Sequence, residues 1–308
     1  MQIRQILAKI VKKIKKNKIS NPHLEAEILL AFVLRKTREF ILTHPEKTLT
    51  KKQIYNIKNL ILKRLKGEPV AYLIGHKQFY GLDFYVNKNV LIPRPETELM
   101  VDEALKRATH NAQRITIIDV GSGSGCIIIS LVAQLLKSKL QITNYQFLAT
   151  DISKPALTIA RKNAKLHKIN KKITFIHGNL LTPIMENPKY SNYLKNLKNP
   201  IIITANLPYL APSQIKNSPS IKYEPKKALS AGPDGLKYYH QLIKQVKKLY
   251  SLNPVSYLLF LEINPEQTKK IKLIIKKHLP LAKIQIKKDL RGLNRLIIVK
   301  LDKYQLKA

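Results

Sequence analysis

Three short stretches of this 308-residue chain carry residue types that can do chemistry together. The first is Asp119-Val120-Gly121-Ser122-Gly123-Ser124-Gly125, which follows an apolar run and precedes an apolar helical pattern. Glycine is needed where backbone must bend sharply or approach a ligand closely. The carboxyl ends of strands in open α/β sheets are where ligands bind. The spacing is Gly-x-Gly-x-Gly, not the Gly-x-Gly-x-x-Gly of nicotinamide and flavin sites. Gly125 is followed by Cys126-Ile127 rather than Lys-Ser/Thr, which excludes a phosphate-cradling P-loop. The second stretch is Thr150-Asp151, the end of the next expected strand. A carboxylate there can accept two hydrogen bonds from the ribose hydroxyls of a nucleoside. Alone, the turn also fits a purely structural bend. With Asp151 it fits an adenosyl ligand that lacks phosphate.

The third stretch is Asn206-Leu207-Pro208-Tyr209, directly after the apolar run Ile201–Ala205. Proline and asparagine are common in turns, so the tetrapeptide by itself also reads as a turn with a packed tyrosine. Its place after a fourth parallel strand faces it into the same crevice as the glycine turn. The residue types suit methyl transfer to a planar NH2 nitrogen. Such a nitrogen is a poor nucleophile and must be held in line with a sulfonium methyl at near-attack distance. Asn206 Oδ1 can accept one N–H and a neighbouring backbone carbonyl the other, which favours charge developing on nitrogen. Pro208 stiffens the loop. Tyr209 offers a flat face to the planar group. No carboxylate base is required once both N–H groups are held.

These stretches need a scaffold that brings strand ends together, and the periodicity supplies one. From Ile115 onward, short apolar strands alternate with helical segments. Strands are expected at 115–120, 145–150, 173–177, 201–205 and 256–263, with helices at 126–136, 156–167, 236–252 and 265–278. A closing pair of strands is expected at 284–289 and 295–301. Such alternation implies a mostly parallel sheet with helices on both faces. Residues 182–200 read as a polar surface insertion. Upstream, Ile3, Ile6, Leu7, Ile10, Val11 and Ile14 fall at helical spacing, and further helices are expected through Ala26–Val33, Glu39–Thr43 and Ile54–Leu65. Ser20-Asn21-Pro22 reads as a cap with proline in the first turn, and Thr50 as another cap. Phe79–Val86 and Asn89–Ile92 read as a hairpin or extended connector, and 97–108 as a helix. The expected organisation is a helical bundle over 1–75, a hairpin or linker over 76–95, and an α/β domain over 96–308.

The formal charge is 56 − 19 = +37. So positive a field suits an acidic partner such as RNA, but the lysines are spread along the whole chain, as compositional bias would also spread them. The single cysteine, Cys126, excludes an intramolecular disulfide and reads as a small packed residue. No apolar run approaches the roughly 18 residues of a membrane span, and no signal-peptide layout is present. A soluble, cytoplasmic monomer without membrane contact is expected. His23-Leu24-Glu25 has the His-x-Glu form but, with one cysteine in the chain, no Cys-x-x-Cys partner, so no deaminase-type zinc site and no metal is expected. Arg94 and Glu96 are candidates for a cleft wall or an ion pair between domains.

Beyond these local readings, the chain resembles the class I S-adenosylmethionine methyltransferases, and among them the bacterial release factor glutamine methyltransferases, the PrmC/HemK family. The resemblance is carried by Gly67–Gly75 (GEPVAYLIG), Phe79–Val86 (FYGLDFYV), Leu91–Glu98 (LIPRPETE), Tyr223-Glu224-Pro225, Ala228–Gly235 (ALSAGPDG) and Leu290–Leu296 (LRGLNRL). It runs in order from about residue 20 to 302. It implies a helical bundle, a connecting hairpin and a Rossmann-like domain that N5-methylates the glutamine of the Gly-Gly-Gln motif of class I peptide-chain release factors, with S-adenosylmethionine as cofactor. By position, Gly121, Ser122, Gly123, Ser124 and Gly125 would line its methionine part and Asp151 would hold its ribose. Asn206 would touch both cofactor and substrate, and Leu207, Pro208 and Tyr209 would hold the glutamine amide. Two positions depart from the family pattern. Leu207 stands where the family usually has proline, and the Asn-Leu-Pro-Tyr form also occurs in adenine N6 methyltransferases of rRNA. Asn179 and Leu180 stand where an acidic residue and an aromatic are common near the adenine. Asn179 can still hydrogen-bond the adenine amine, whereas Leu180 cannot stack. An adenine N6 methyltransferase and a non-catalytic RNA-binding protein of the same fold are the alternatives. The intact Gly121–Gly125, Asp151 and Asn206 speak against the second.

Overall fold

A computed structural model describes residues 1–110, 115–138, 145–216 and 221–303. These divide into two compact units, one of Met1–His76 with residues 221–223, the other beginning at Lys77.

The first unit is helical. Its elements are α1 (Ile3–Lys16), α2 (Pro22–Leu34), α3 (Arg38–Thr43), α4 (Lys51–Leu65) and α5 (Val70–Ile74). The apolar stripe of α1 faces inward: Ile3, Ile6, Ile10 and Ile14 are buried with Leu29, Leu30, Ile57 and Ile61, while its lysines are solvated. Thr50 caps α4 through its side chain, with Gln53 closing a capping box. Asn21 differs from expectation. It precedes α2 in the left-handed region (φ 53°) and makes no side-chain cap, so Pro22 alone sets the first turn. Arg64 donates twice to Glu25 (2.7 and 2.9 Å), a largely buried ion pair inside this unit. α5 has no sequence expectation behind it. Five residues are too few to show a period.

A hairpin of β1 (His76–Phe79) and β2 (Leu82–Tyr85) follows, all of it but His76 in the second unit. Its turn residues Tyr80 and Gly81 both have positive φ (52° and 70°), as the tight hairpin turns demand. Tyr80 is held there by Glu98, which accepts its N–H (2.8 Å), and by Asp102, which accepts its hydroxyl (2.6 Å). Residues 89–92 do not extend the hairpin. Pro93 and Pro95 have no N–H to give a ladder, and the Ile92 N–H goes to the Glu224 carboxylate instead (3.1 Å).

The remaining elements are α6 (Glu98–His110), β3 (Thr116–Val120), α7 (Cys126–Lys137), β4 (Gln146–Asp151), α8 (Lys154–Leu166), β5 (Ile173–His177), α9 (Thr182–Glu186), α10 (Pro188–Lys195), β6 (Ile201–Ala205), α11 (Pro212–Lys216), α12 (Lys237–Leu252), β7 (Tyr257–Glu262), α13 (Thr268–His278), β8 (Lys283–Lys288) and β9 (Asn294–Leu301). Their seven strands order as β5-β4-β3-β6-β7-β9-β8, parallel except for β9, which pairs antiparallel with both neighbours. This is the Rossmann-like class I methyltransferase fold. β3, β6 and β7 are buried along their whole length, which is why they read as near-continuous apolar runs despite Thr116, Asp119, Thr204 and Glu262. Residues 182–200 are not a polar surface insertion. They fold into α9 and α10, and Ile184, Leu194 and Leu197 enter the main core. Asn253 ties this segment down by donating to the carbonyls of Leu194 and Leu197.

The strand order reverses between β3 and β6, since the chain goes outward from β3 through β4 and β5 and then returns to β3's other side. A crevice opens where two such strands send their connections to opposite sides. The register Val120↔Ala205 makes Gly121 and Asn206 neighbours there.

Candidate active site

A cavity of about 270 Å³ occupies this crevice. Its wall includes Gly121, Ser122, Gly123, Ser124, Asp151 and Asn179 on one side of the switch point and Asn206, Leu207 and Pro208 on the other. Most of the residues expected to form the site are therefore gathered in one place. Two are not part of the wall. Gly125 sits behind it: a Cβ there would lie 2.9 Å from Ile129 Cδ1 and 3.2 Å from Ala160 Cβ, at φ +80°. Its work is the close approach of α7 to α8. Tyr209 packs against the main core and is largely buried, and its carbonyl accepts from Gln267 Nε2 (3.0 Å). Burial pushes its hydroxyl up to about 12, with Glu262 adding to the shift.

The glycine turn is held by the strand beside it. Gly121 N and Ser122 N both donate to the Thr150 carbonyl (2.9 and 3.0 Å). Gly121 is in the left-handed region (φ +73°), and a Cβ there would point at Leu207 Cδ2 (3.6 Å) and the Asn206 carbonyl (3.9 Å). Asn163 of α8 braces the far end by donating to the Ser124 carbonyl (2.8 Å) and by bonding both backbone groups of Tyr85.

Asp151 ends β4 with only 9% of its surface exposed. Gly123 N donates to its Oδ2 and Ser153 N to its Oδ1, each at 2.8 Å. Each oxygen keeps a second lone pair for a ligand hydroxyl. Burial raises its pKa against the pull of those two N–H groups. Asp119, at the head of the motif, is fully buried. Thr204 donates to its Oδ1 (2.8 Å), and its Oδ2 has no partner. Burial pushes its carboxyl up to about 7, chiefly against the hydrogen bond from Thr204. Cys126 is buried just beyond, and desolvation lifts its thiol to about 12, so it is no nucleophile.

Asn206 leaves β6 with its carboxamide turned so that Nδ2 donates to Thr97 Oγ1 (3.1 Å). Thr97 is buried, and near it lies the fully buried carboxyl of Glu262, the last residue of β7, which burial pushes up to about 7. Thr97 was not singled out by its residue type, because its bond to Asn206 joins residues remote in sequence. Another stretch of the lining is pinned by Arg94, which donates to Glu224 Oε1 (2.6 Å) while Glu224 Oε2 takes the Ile92 N–H. Glu96 pairs with Arg291 (3.0 Å) instead. Both pairs lie inside the second unit.

S-adenosylmethionine fits these groups. Asp151 offers acceptors of the kind a ribose needs. The uncrowded Gly121–Gly123 backbone lets a chain of ligand atoms pass, since a Cβ at Gly123 would meet nothing within 4 Å. Ile152, which follows Asp151 and is 48% exposed, joins Ile127, Ala156 and Leu180 as apolar wall. Ile152 is legible in hindsight as the neighbour of the acidic strand end. Lys88, Lys226 and Lys227 add positive charge to the lining. Among the described residues no cluster of His, Cys, Asp or Glu is arranged to hold a metal ion, and no helix is long and apolar enough to cross a membrane.

Comparison with known proteins bears on this site directly. A family described as the PrmC N-terminal domain matches residues 5–75, and one described as ribosomal protein L11 methyltransferase (PrmA) matches residues 95–206. The release factor glutamine methyltransferase of Dictyoglomus turgidum is 35% identical over 298 residues, covering 96% of this chain and 98% of that protein. The bifunctional methyltransferase of Rickettsia bellii is 33% identical over 313 residues and covers 92% of this chain, which spans only 52% of that longer protein. Among solved structures, the hMettl16 catalytic domain in complex with MAT2A 3'UTR hairpin 6 superposes with a TM-score of 0.53 at 15% identity, over 90% of this chain and 93% of that one. That likeness is one of fold.

Proposed function

Because the chain belongs to the release factor glutamine methyltransferase family, we propose that it methylates the side-chain amide nitrogen of the glutamine in the Gly-Gly-Gln motif of class I peptide-chain release factors. S-adenosylmethionine is the methyl donor; bound in the cavity, it supplies an electrophilic methyl on a sulfonium sulfur. The observation that carries the reading is the Asn206 carboxamide. Its Nδ2 is committed to Thr97, so Oδ1 is the atom left to accept an N–H of an incoming planar amine. The Asn206 and Leu207 carbonyls lie in the same loop for the second N–H. Once both are held, the nitrogen lone pair is aimed rather than spread over rotamers, and the positive charge that develops in transfer is stabilised where it forms. Pro208 keeps the loop in one conformation. Tyr209, from its packed position, serves as support for the loop and less as an exposed stacking face. Asn179 is left the role of an adenine contact. The helical unit at 1–75, the linker at 76–95 and the catalytic domain at 96–308 remain our division of labour. A release factor substrate places the chain in the cytoplasm, acting as a monomer without membrane contact.

A second reading, N6 methylation of adenine in RNA, is favoured by two observations. Leu207 occupies the loop position where the family usually has proline, and the cavity wall carries Lys88, Lys226 and Lys227, charges that suit a phosphate backbone. A methyl-transfer assay with labelled cofactor, offered release factor and rRNA separately, decides between them. Label on the release factor supports the first reading. Label on rRNA alone supports the second.

A further inference from the structure

β6 and β7 are parallel neighbours, with Ala205 level with Leu261, so their connections leave the sheet at the same end. The connection from β6 is the acceptor loop Asn206–Tyr209. The connection from β7 turns at 265–267 before entering α13, and it ends on Gln267, whose N–H goes to the Asn264 carbonyl (2.9 Å). The Gln267 side chain reaches back to the neighbouring loop. Its Nε2 donates to the carbonyls of Tyr209 (3.0 Å) and Asp234 (3.3 Å). We infer that Gln267 is a positioning residue: with both side-chain protons it clips the end of the acceptor loop to the 231–237 turn, and so sets where that loop holds the acceptor nitrogen.

Donor and acceptor supply fix the direction of the clip. A carboxamide carries two N–H donors at one end and a carbonyl at the other. Two carbonyl oxygens face it here, so the NH2 end turns toward them; the reverse would crowd three carbonyl oxygens together. Gly235 shows how closely the three segments run. A Cβ there would overlap the Tyr209 carbonyl oxygen and lie within 2.5 Å of Gln267 Nε2, wedging the clip open. The turn that shares the clip is braced from within. Leu236 N donates to Asp234 Oδ1 (3.0 Å), Gly235 N to the Gly232 carbonyl (3.2 Å) and Lys237 N to the Ala231 carbonyl (3.2 Å). Just past Tyr209 the chain is tied to the residues before that turn: Leu210 N donates to the Leu229 carbonyl (2.9 Å), and the Leu210 carbonyl accepts from Ala231 N (3.0 Å).

At its front end the loop is tied by Asn206 Nδ2 to Thr97 (3.1 Å). Leu207 and Pro208, which line the cavity, lie between the two ties. Gln267 stands outside the wall and acts through the loop. Without the rear tie the Leu207–Pro208 backbone drifts relative to Asn206 Oδ1, and the two acceptors no longer grip a planar NH2 group in one plane. A displacement of about 1 Å at a reacting centre costs on the order of a hundredfold in rate. Asp151 and Gly123 sit on the far side of the switch point, so cofactor affinity should change little.

The inference rests on the reading that this loop holds the acceptor amine, so its test has one arm that needs no acceptor. Amide hydrogen exchange of the full-length protein is compared for wild type, Gln267→Met and Gln267→Glu. Methionine fills a similar volume without a donor. Glutamate is nearly isosteric but sets a carboxylate against two carbonyls. Both should speed exchange at Leu210 and Ala231 by on the order of tenfold, Glu more than Met, with Gly121 and Ser122 unchanged. In the second arm kcat, acceptor KM and cofactor affinity are measured with whichever of release factor and rRNA accepts the methyl group. Turnover should fall by on the order of tenfold to a hundredfold, again further in Gln267→Glu, while acceptor KM and cofactor affinity stay near wild type. A side chain needed only for its volume would leave Gln267→Glu like the wild type, and that result overturns the inference. Unchanged exchange at Leu210, or a loss confined to cofactor affinity, overturns it too. Where a variant also speeds exchange at Gly121 and Ser122, Gln267→Asn, one methylene short of the Tyr209 carbonyl, is judged by the same readings: local exchange with lowered kcat supports the clip, and wild-type behaviour overturns it. If neither release factor nor rRNA is methylated, the functional reading fails while the exchange arm still judges the clip.

Discussion

Asp151 and Gly123 are joined by a 2.8 Å hydrogen bond from backbone N–H to carboxylate, so the acidic residue expected to hold a ribose also holds the glycine turn. One side chain therefore couples two halves of the proposed cofactor site. Asp151→Ala removes both a ligand contact and a brace, and Asp151→Asn keeps the shape while losing the charge. Bonds to a charged group contribute about 1.5–3 kcal/mol. We expect Asp151→Asn to weaken S-adenosylmethionine binding roughly tenfold to a hundredfold on that basis, and Asp151→Ala to weaken it further and to speed amide exchange at Gly123. Calorimetry and hydrogen exchange check the two effects separately. Unchanged affinity in both variants would remove Asp151 from the site.

The glycines of the turn should separate into a ligand class and a packing class. Gly125→Ala forces a Cβ to within 2.9 Å of Ile129 and 3.2 Å of Ala160 at φ +80°. Left-handed strain of roughly 1–2 kcal/mol adds to that crowding, so a loss of about 2–4 kcal/mol is expected. Gly121→Ala meets only ordinary contacts, the nearest at 3.6 Å. It should cost less stability but more cofactor affinity. Thermal unfolding with and without cofactor distinguishes them.

This division was only partly legible in the sequence. The spacing of Gly121, Gly123 and Gly125 announced a turn at a strand end, and the apolar runs at 115–120, 201–205 and 256–263 announced a parallel sheet, because strands buried on both faces read as near-continuous apolar segments. Periodicity could not say that Gly125 serves α8, since Ala160 is remote in sequence. Residues 182–200 misled because their prolines and asparagines look like loop. Two of those prolines, Pro183 and Pro188, instead start short helices, and the buried residues among them are too few to show a period. Thr97 stayed hidden because its bond to Asn206 joins residues remote in sequence.

Asp119 should make the fold less stable as pH rises. Burial lifts its folded carboxyl to about 7 from an ordinary value of 3.8. Between those values the folded chain binds more protons than the unfolded one, so stability falls with increasing pH. The penalty is absent below the unfolded value and complete above about 7, on the order of 2–4 kcal/mol. Asp119→Asn removes this contribution. Between pH 5 and 8, denaturant melts should show the variant losing less stability than the wild type. Parallel slopes in the two proteins would contradict a raised Asp119.

Glu224 should matter to substrate more than to cofactor. It anchors Arg94 at 2.6 Å and the Ile92 N–H at 3.1 Å, and so fixes the Pro93–Arg94 stretch of the cavity lining. Glu224→Ala leaves a buried N–H unsatisfied, which costs about 1–3 kcal/mol, and frees the Pro93–Arg94 segment. A raised acceptor KM with near-normal cofactor affinity is the expected signature. Loss of cofactor binding alone would place the segment elsewhere in the reaction.

The central claim is that Asn206 presents its Oδ1 to a glutamine amide. The most direct measurement offers the protein, with labelled S-adenosylmethionine, a class I release factor, the same factor with its Gly-Gly-Gln glutamine replaced, and rRNA, and maps the label by mass spectrometry. The account predicts one methyl group on the side-chain nitrogen of that glutamine. It predicts none on the replaced factor, and a loss of roughly two orders of magnitude in turnover for Asn206→Ala. Label on an rRNA adenine with the release factor unmodified, or full turnover by Asn206→Ala, would contradict it.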